Sequence, residues 1–152
     1  MTIIEAINQI DEFKPNGFSQ KDKIRWLNTV DYYIKTEIID THEGTESIPF
    51  TGYDENTPLD TVLLACAPFD VLYIRWLEAQ IDYANAEISK YNNSITVFDS
   101  AYSDYRNYYN RTHMPKGKKI KYFCASDEQD FLESAMMDVM NGSGASEQPY
   151  TK

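Results

Sequence analysis

His42-Glu43-Gly44-Thr45-Glu46 is the first place in the chain where side chains capable of chemistry crowd together. A zinc-hydrolase helix sets two histidines four residues apart on one face, with a glutamate beside the first as base. Here the second ligand position is Glu46, and Gly44 interrupts the turn. The run therefore predicts a helix stop at Gly44, not a metal centre. His113 follows an expected helix end and reads as a capping or solvated group. Cys66 and Cys124 lie far apart with no Cys-x-x-Cys, which argues against a zinc module or disulfide scaffold and fits a reducing compartment. Cys66 falls on an expected apolar helix face and reads as core, and Cys124 has no base near it in sequence. There is no Gly-x-Gly-x-x-Gly, Walker or Gly-x-Ser-x-Gly sequence. Carboxylates are plentiful but scattered, as on a solvated acidic surface. The sequons at Asn92, Asn110 and Asn141 have meaning only in a secreted chain. The expectation is a protein with no catalytic residues, no cofactor and no metal.

Charge narrows the classes further. The 152 residues carry a net charge of -10, unevenly placed. Residues 1–110 hold 8 Lys/Arg against 18 Asp/Glu, residues 111–123 hold five Lys/Arg and no acid, and residues 124–152 hold one Lys and six acids. An acidic body does not bind duplex DNA by neutralising phosphates, so a DNA-binding role through 111–121 is disfavoured. It suits solubility, or a wall that DNA passes without sticking. Met1-Thr2-Ile3-Ile4-Glu5 has no basic region and no apolar run after it, which predicts no secretory signal. No stretch has the ~18 apolar residues of a membrane span. Hydrophobic residues at 42% and six glycines and six prolines fit one ordinary globular domain with an unusual number of tyrosines, twelve.

The elements that would carry these residues are mostly helical. Ile3, Ile4, Ile7, Ile10 and Phe13 predict an amphipathic helix over 2–14, stopped by Pro15-Asn16-Gly17. Ser19 caps a second helix over 20–40, with Ile24, Leu27, Val30, Ile34 and Ile38 on one face. Residues 41–56 have no helical period, and Ile48, Phe50 and Tyr53 alternate as in a short strand or hairpin arm. Thr57-Pro58-Leu59-Asp60 predicts the start of a short helix to 66, with Leu59, Val62, Leu63 and Cys66 apolar.

Ile74, Leu77, Ile81, Ala84, Ile88, Tyr91, Ile95, Phe98, Tyr102, Tyr105 and Tyr109 then alternate spacings of three and four without a fault. A break would normally shift the register, so the pattern predicts one long helix over about 68–110, at most kinked near Asn92. Its proximal half is expected to pack on residues 2–40. Its tyrosine-rich distal half is expected to meet a neighbouring subunit through Tyr91, Ile95, Phe98, Tyr102, Tyr105 and Tyr109. Ile48, Phe50 and Tyr53 of the loop are expected at the same interface.

After Pro115 the basic stretch predicts an extended arm, then a short helix over 127–141. Lys116, Lys118, Lys119, Lys121, Tyr122 and Phe123 of the arm are expected to dock on a partner. So is the apolar face of the helix, with Leu132, Met136, Val139 and Met140. The fold class is thus all-α: a small helical bundle over 1–115 built on one long helix, with an extended loop and a C-terminal docking arm, 116–152.

Five runs carry a resemblance. Ile38-Ile-Asp-Thr-His42-Glu-Gly44, Phe50-Thr-Gly52-Tyr53-Asp-Glu, Pro68-Phe-Asp70-Val-Leu-Tyr73, Tyr91-Asn-Asn-Ser94 and Tyr108-Tyr-Asn-Arg-Thr-His-Met-Pro115 resemble head–tail connector (adaptor) proteins of tailed bacteriophages and Gram-positive prophages. The resemblance covers about residues 1–123. It implies a non-enzymatic virion protein at the head–tail junction, assembled in the bacterial host cytoplasm. Such a subunit forms a homo-oligomeric ring, expected to be dodecameric, under the portal protein, and receives a downstream head-completion or tail protein. DNA crosses the ring without specific binding, and no membrane is involved. Arg75, Lys90 and Arg106 are the basic candidates for a local brake in an otherwise acidic bore. The alternative is a helical interaction or regulatory module that dimerises through the 74–109 seam.

Overall fold

The computed structural model describes residues 1–44 and 49–116. The chain divides into two units, Met1–Lys116 and Gly117–Lys152, and the second lies outside the described residues. The first unit is all-α, as its periodicity predicts.

Helix α1 spans Ile3–Phe13. Thr2 accepts from the Glu5 N–H while the Glu5 carboxylate accepts from the Thr2 N–H, which satisfies two free donors of the first turn. Ile3, Ala6, Ile7 and Ile10 are buried, whereas Phe13 is exposed and lies under the Arg75 guanidinium. Helix α2 spans Gln20–Tyr33 from its Ser19 cap and continues as a π-helical turn, Ile34–Ile39. The wider turn puts both Ile38 and Ile39 in the core beside Ile34. Burying such a side chain contributes about 1.5–3 kcal/mol.

The short helix expected over 58–66 does not form. Residues 57–66 are irregular, and Val62 pairs with Thr2 as an isolated antiparallel bridge. Pairing with the amino terminus outcompetes the local capping signal, because the Ile3 and Ile4 N–H groups donate to the Thr61 and Leu59 carbonyls. Leu63 is buried, but Val62 and Cys66 are exposed, so Cys66 is not the core residue expected.

The single long helix is also corrected. Helix α3 spans Val71–Ala84 and helix α4 spans Ile88–Thr112. Asn85-Ala86-Glu87 joins them as a tight antiparallel hairpin, with Ala86 in the left-handed region at φ 59°. The heptad spacing survives the turn because both arms keep the same face inward. Ala84 and Ile88, at the two edges of the turn, are exposed and contribute nothing to the seam. Ring pairs step away from the turn in order: Tyr83–Tyr91, Trp76–Phe98, then Phe69–Tyr105. The Asp82 carboxylate pins the hairpin by accepting from Ser94 Oγ (2.6 Å) and from Lys14, which caps the end of α1. Burial alone would raise its pKa, but the bonds from Lys14 and Ser94 outweigh that and hold it below the usual value.

Ala86 offers a simple test of the hairpin. A left-handed alanine is strained where a glycine is not. Ala86→Gly is expected to stabilise the fold by about 0.5–1 kcal/mol, read as a higher denaturant midpoint. In a continuous helix the same change would destabilise by a similar amount.

Candidate interaction surfaces

The expected interface along α4 is largely consumed inside the chain. Phe98, Tyr105 and Tyr109 are buried at 7%, 2% and 6% exposure. Phe98 packs on Trp76, Tyr105 lies against Phe69, and Tyr109 stacks on His113 with ring centres 3.9 Å apart. Tyr91, Ile95 and Tyr102 keep partial exposure, and the Tyr102 hydroxyl donates to Glu37 (3.1 Å). Burial and the Glu37 carboxylate push the Tyr102 phenol well above its ordinary pKa. Because α3 and α4 close the 74–109 seam on each other, the half expected to face a neighbour has little surface left for one. The same holds for a dimer through that seam. Tyr83, Ile88 and Val97 are exposed on the hairpin instead.

The loop residues also work at home. Phe50 meets Tyr32 and Tyr53 edge-on, with ring centres 5.1 and 5.3 Å apart. The Tyr53 N–H donates to Asn28 Oδ1 (2.7 Å), and its hydroxyl donates to Asp31 (2.6 Å). Ile48 lies outside the described residues, and no strand forms in this loop among the described residues.

Asp31 is the most unusual polar group in the unit. It is fully buried, and its carboxylate accepts from Tyr53 Oη, from Tyr73 Oη (2.5 Å) and from the Leu64 N–H (3.3 Å). The Tyr73 hydroxyl in turn accepts from the Ala65 N–H (2.7 Å). One carboxylate thus fastens α2, the 49–66 loop and α3. Burial raises its pKa despite the three donors. Burial and the Asp31 charge also push both phenols far above their ordinary value, so neither is poised to act as a base. The arrangement is a buttress that ties the loop to the two helices.

Gly52 makes the loop's close approach possible. It has φ +89°, and a Cβ there would stand 2.9 Å from Asn28 Oδ1, the acceptor of the Tyr53 N–H. Gly52→Ala is expected to cost about 1–3 kcal/mol. Amide exchange at Tyr53 should quicken in that variant, and unchanged exchange would refute the role of the contact.

A third junction closes the unit. The Glu43 N–H donates to the Met114 C=O (2.8 Å), and the Lys116 N–H to the Thr41 C=O (2.7 Å). His42 is buried between them, with its ring edge-on to Tyr109 and Nδ1 2.7 Å from the Ile38 C=O. It serves packing. Gly44 follows at φ +74°, but the helix has already ended at Ile39, so Gly44 turns the chain after it and is not the stop expected. Of the expected docking residues only Lys116 is described, and it is exposed. Lys118, Lys119, Lys121, Tyr122, Phe123, Leu132, Met136, Val139 and Met140 lie outside the described residues, as does Cys124.

Among the described residues no His, Cys, Asp or Glu side chains gather as a metal ligand set, and no helix is long and apolar enough to cross a membrane. Comparison with known proteins adds no family: no family model matches the chain, and no curated protein or solved structure matches it. The sequence analysis missed the Asp31 node, although a signal existed: Asp31 stands four residues after Leu27 and three before Ile34, in line with the apolar face of α2, where a lone aspartate must find buried partners.

Proposed function

We propose that this chain is a head–tail connector subunit of a phage-like particle, a non-enzymatic protein that forms a ring under the portal and extends the DNA channel. The observation that carries the reading is how the five connector-like runs relate in space. Ile38–Gly44 and Tyr108–Pro115 bond to each other through Glu43 and Met114. Pro68–Tyr73 meets the last run through Phe69 and Tyr108, with ring centres 4.7 Å apart, and meets Phe50–Glu55 through the shared Asp31. Tyr91–Ser94 holds the hairpin through Asp82. Runs that lie far apart in sequence thus serve one architecture, as expected if they descend together. The acidic balance of residues 1–110 suits a bore that repels DNA phosphates. The repulsion is short-ranged, since the Debye length is about 8 Å at physiological salt. Because the seam is closed internally, subunit contacts in such a ring fall to other faces of the hairpin, where Tyr83, Ile88 and Val97 are exposed.

Electron microscopy of the full chain mixed with its portal tests this. The expected result is a ring, formed through head-to-tail contacts, stacked on the portal. A closed twofold dimer that ignores the portal would sink the reading. Deleting 124–152 is expected to leave a cooperatively folded subunit while reducing attachment to portal-bearing capsids. Normal attachment by that truncation would remove the docking role of the arm.

A further inference from the structure

Ala86 is the only non-glycine residue at positive φ among the described residues, and it lies in the turn that folds α4 back on α3. The left-handed region strains an L-residue, and a helical conformation relieves that strain. Nothing else in Asn85-Ala86-Glu87 forbids a helix, since the turn holds no glycine and no proline. The heptad spacing also runs through it in phase, with Ile81, Ala84, Ile88 and Tyr91 at intervals of three, four and three. Ala84 and Ile88 occupy seam positions of that pattern, yet both are exposed in the hairpin, Ile88 at 56%.

The two arms pack in one regular register. Tyr83 meets Tyr91, Trp76 meets Phe98 and Phe69 meets Tyr105, at four, eleven and eighteen residues on either side of Glu87. Successive pairs are one heptad apart on both arms. That is the register of an antiparallel helix pair, and it is the same whether the arms belong to one chain or to two. A second copy therefore offers every contact that α4 makes on α3, including the bond from Ser94 to Asp82.

We propose that the hairpin opens at Asn85-Ala86-Glu87 into one continuous helix and that two copies of this chain exchange α4, each packing it on the α3 of the other. The helix from Val71 to Thr112 is then about 60 Å long. Ala84 and Ile88 of both chains form the central layers around the twofold axis, so seam residues that the hairpin leaves exposed become covered. A short, strained hinge invites this exchange. Contacts away from the turn are the same in both states, so the balance is set by the turn and by the freedom lost on association. The closed monomer holds at low concentration and the exchanged dimer gains at high. Such a dimer uses the seam by opening it, unlike one built on the closed hairpin. The proposal goes beyond the connector reading and stands without it.

The test is refolding of the full chain from denaturant, without portal, at rising concentration up to about 1 mM, with sedimentation to count subunits. Refolding starts from the open chain because exchange requires the seam to come apart. A dimer that grows with concentration is expected. Refolding an equal mixture of isotope-labelled and unlabelled chain identifies the exchange. Ring contacts between Trp76 and Phe98 should join labelled to unlabelled chains in the dimer, and stay within one chain in the monomer. Ala86→Gly relieves the turn and weakens the helix, so it should raise the dimer dissociation constant about tenfold for each of the two turns, about a hundredfold in all. Asn85→Ala favours the helix and should lower the constant by about threefold or more. The proposal is overturned if the parent and Asn85→Ala both stay monomeric throughout, or if the dimer keeps its Trp76–Phe98 contacts within each chain. It is equally overturned if neither variant shifts the constant in the expected direction. Portal attachment is not read in this experiment, so either proposal can fail alone.

Discussion

Asp31→Ala is expected to destabilise the folded unit by about 2–4 kcal/mol, measured by urea unfolding. The change strands three donors, the hydroxyls of Tyr53 and Tyr73 and the Leu64 N–H, and releases one buried carboxylate. Tyr53 is only partly buried, so water can recover part of its bond; Tyr73 is fully buried and cannot be reached. A small domain has about 5–15 kcal/mol in total, so the loss is a large share. Asp31→Asn should cost less, because an acceptor remains. It should also remove a pH dependence. Burial raises the folded pKa of Asp31 above the unfolded value near 3.8, so folding favours the protonated form. Its contribution to stability is fullest below that unfolded value and declines as pH rises through the folded pKa. The stability of the parent relative to Asp31→Asn should therefore fall with rising pH over that window. A flat difference would mean that the three donors fully offset the burial. Loss of the node should also loosen the 49–66 loop before the helices, visible as faster exchange at Tyr53 and Leu64.

Tyr105→Ala is expected to cost about 3–5 kcal/mol, the value for emptying a large aromatic site in a core. Tyr105 is 2% exposed, against Phe69 and beside Tyr109. The consequence separates two roles the same tyrosine was open to. As an interface residue its loss would leave the subunit folded and block assembly. As a core residue its loss destabilises the subunit, and assembly falls only as far as the folded fraction does. Val97→Ser, on the exposed side of α4, should change stability by no more than about 0.5 kcal/mol. If Val97 lies in a subunit contact, that variant should assemble poorly while melting like the parent. Sedimentation and thermal melts on both variants read the two effects apart.

Much of this architecture follows from sequence alone. The faces of α1 and α2 are set by apolar spacing, and their starts by Thr2 and Ser19, because capping and amphipathic burial act within a few residues. The left-handed turn at Gly44 and the acidic balance of 1–110 are equally local properties. Three features waited on tertiary structure. An unbroken heptad register fits one long helix or two helices folded on themselves, because a three-residue turn that keeps phase leaves no mark in the spacing. The Asn85-Ala86-Glu87 turn has neither glycine nor proline to betray it, and the antiparallel closure is favoured because it buries Phe98, Tyr105 and Tyr109 within one chain. The amino terminus claimed residues 59–63 through long-range backbone bonds that outcompeted the Thr57-Pro58 helix signal. Asp31 became the centre of the unit only when two tyrosines, 22 and 42 residues further along, arrived over it. Local chemistry decides where helices can begin and which face is apolar; which faces meet is decided by the contacts that bury the most surface and leave the fewest polar groups unpaired.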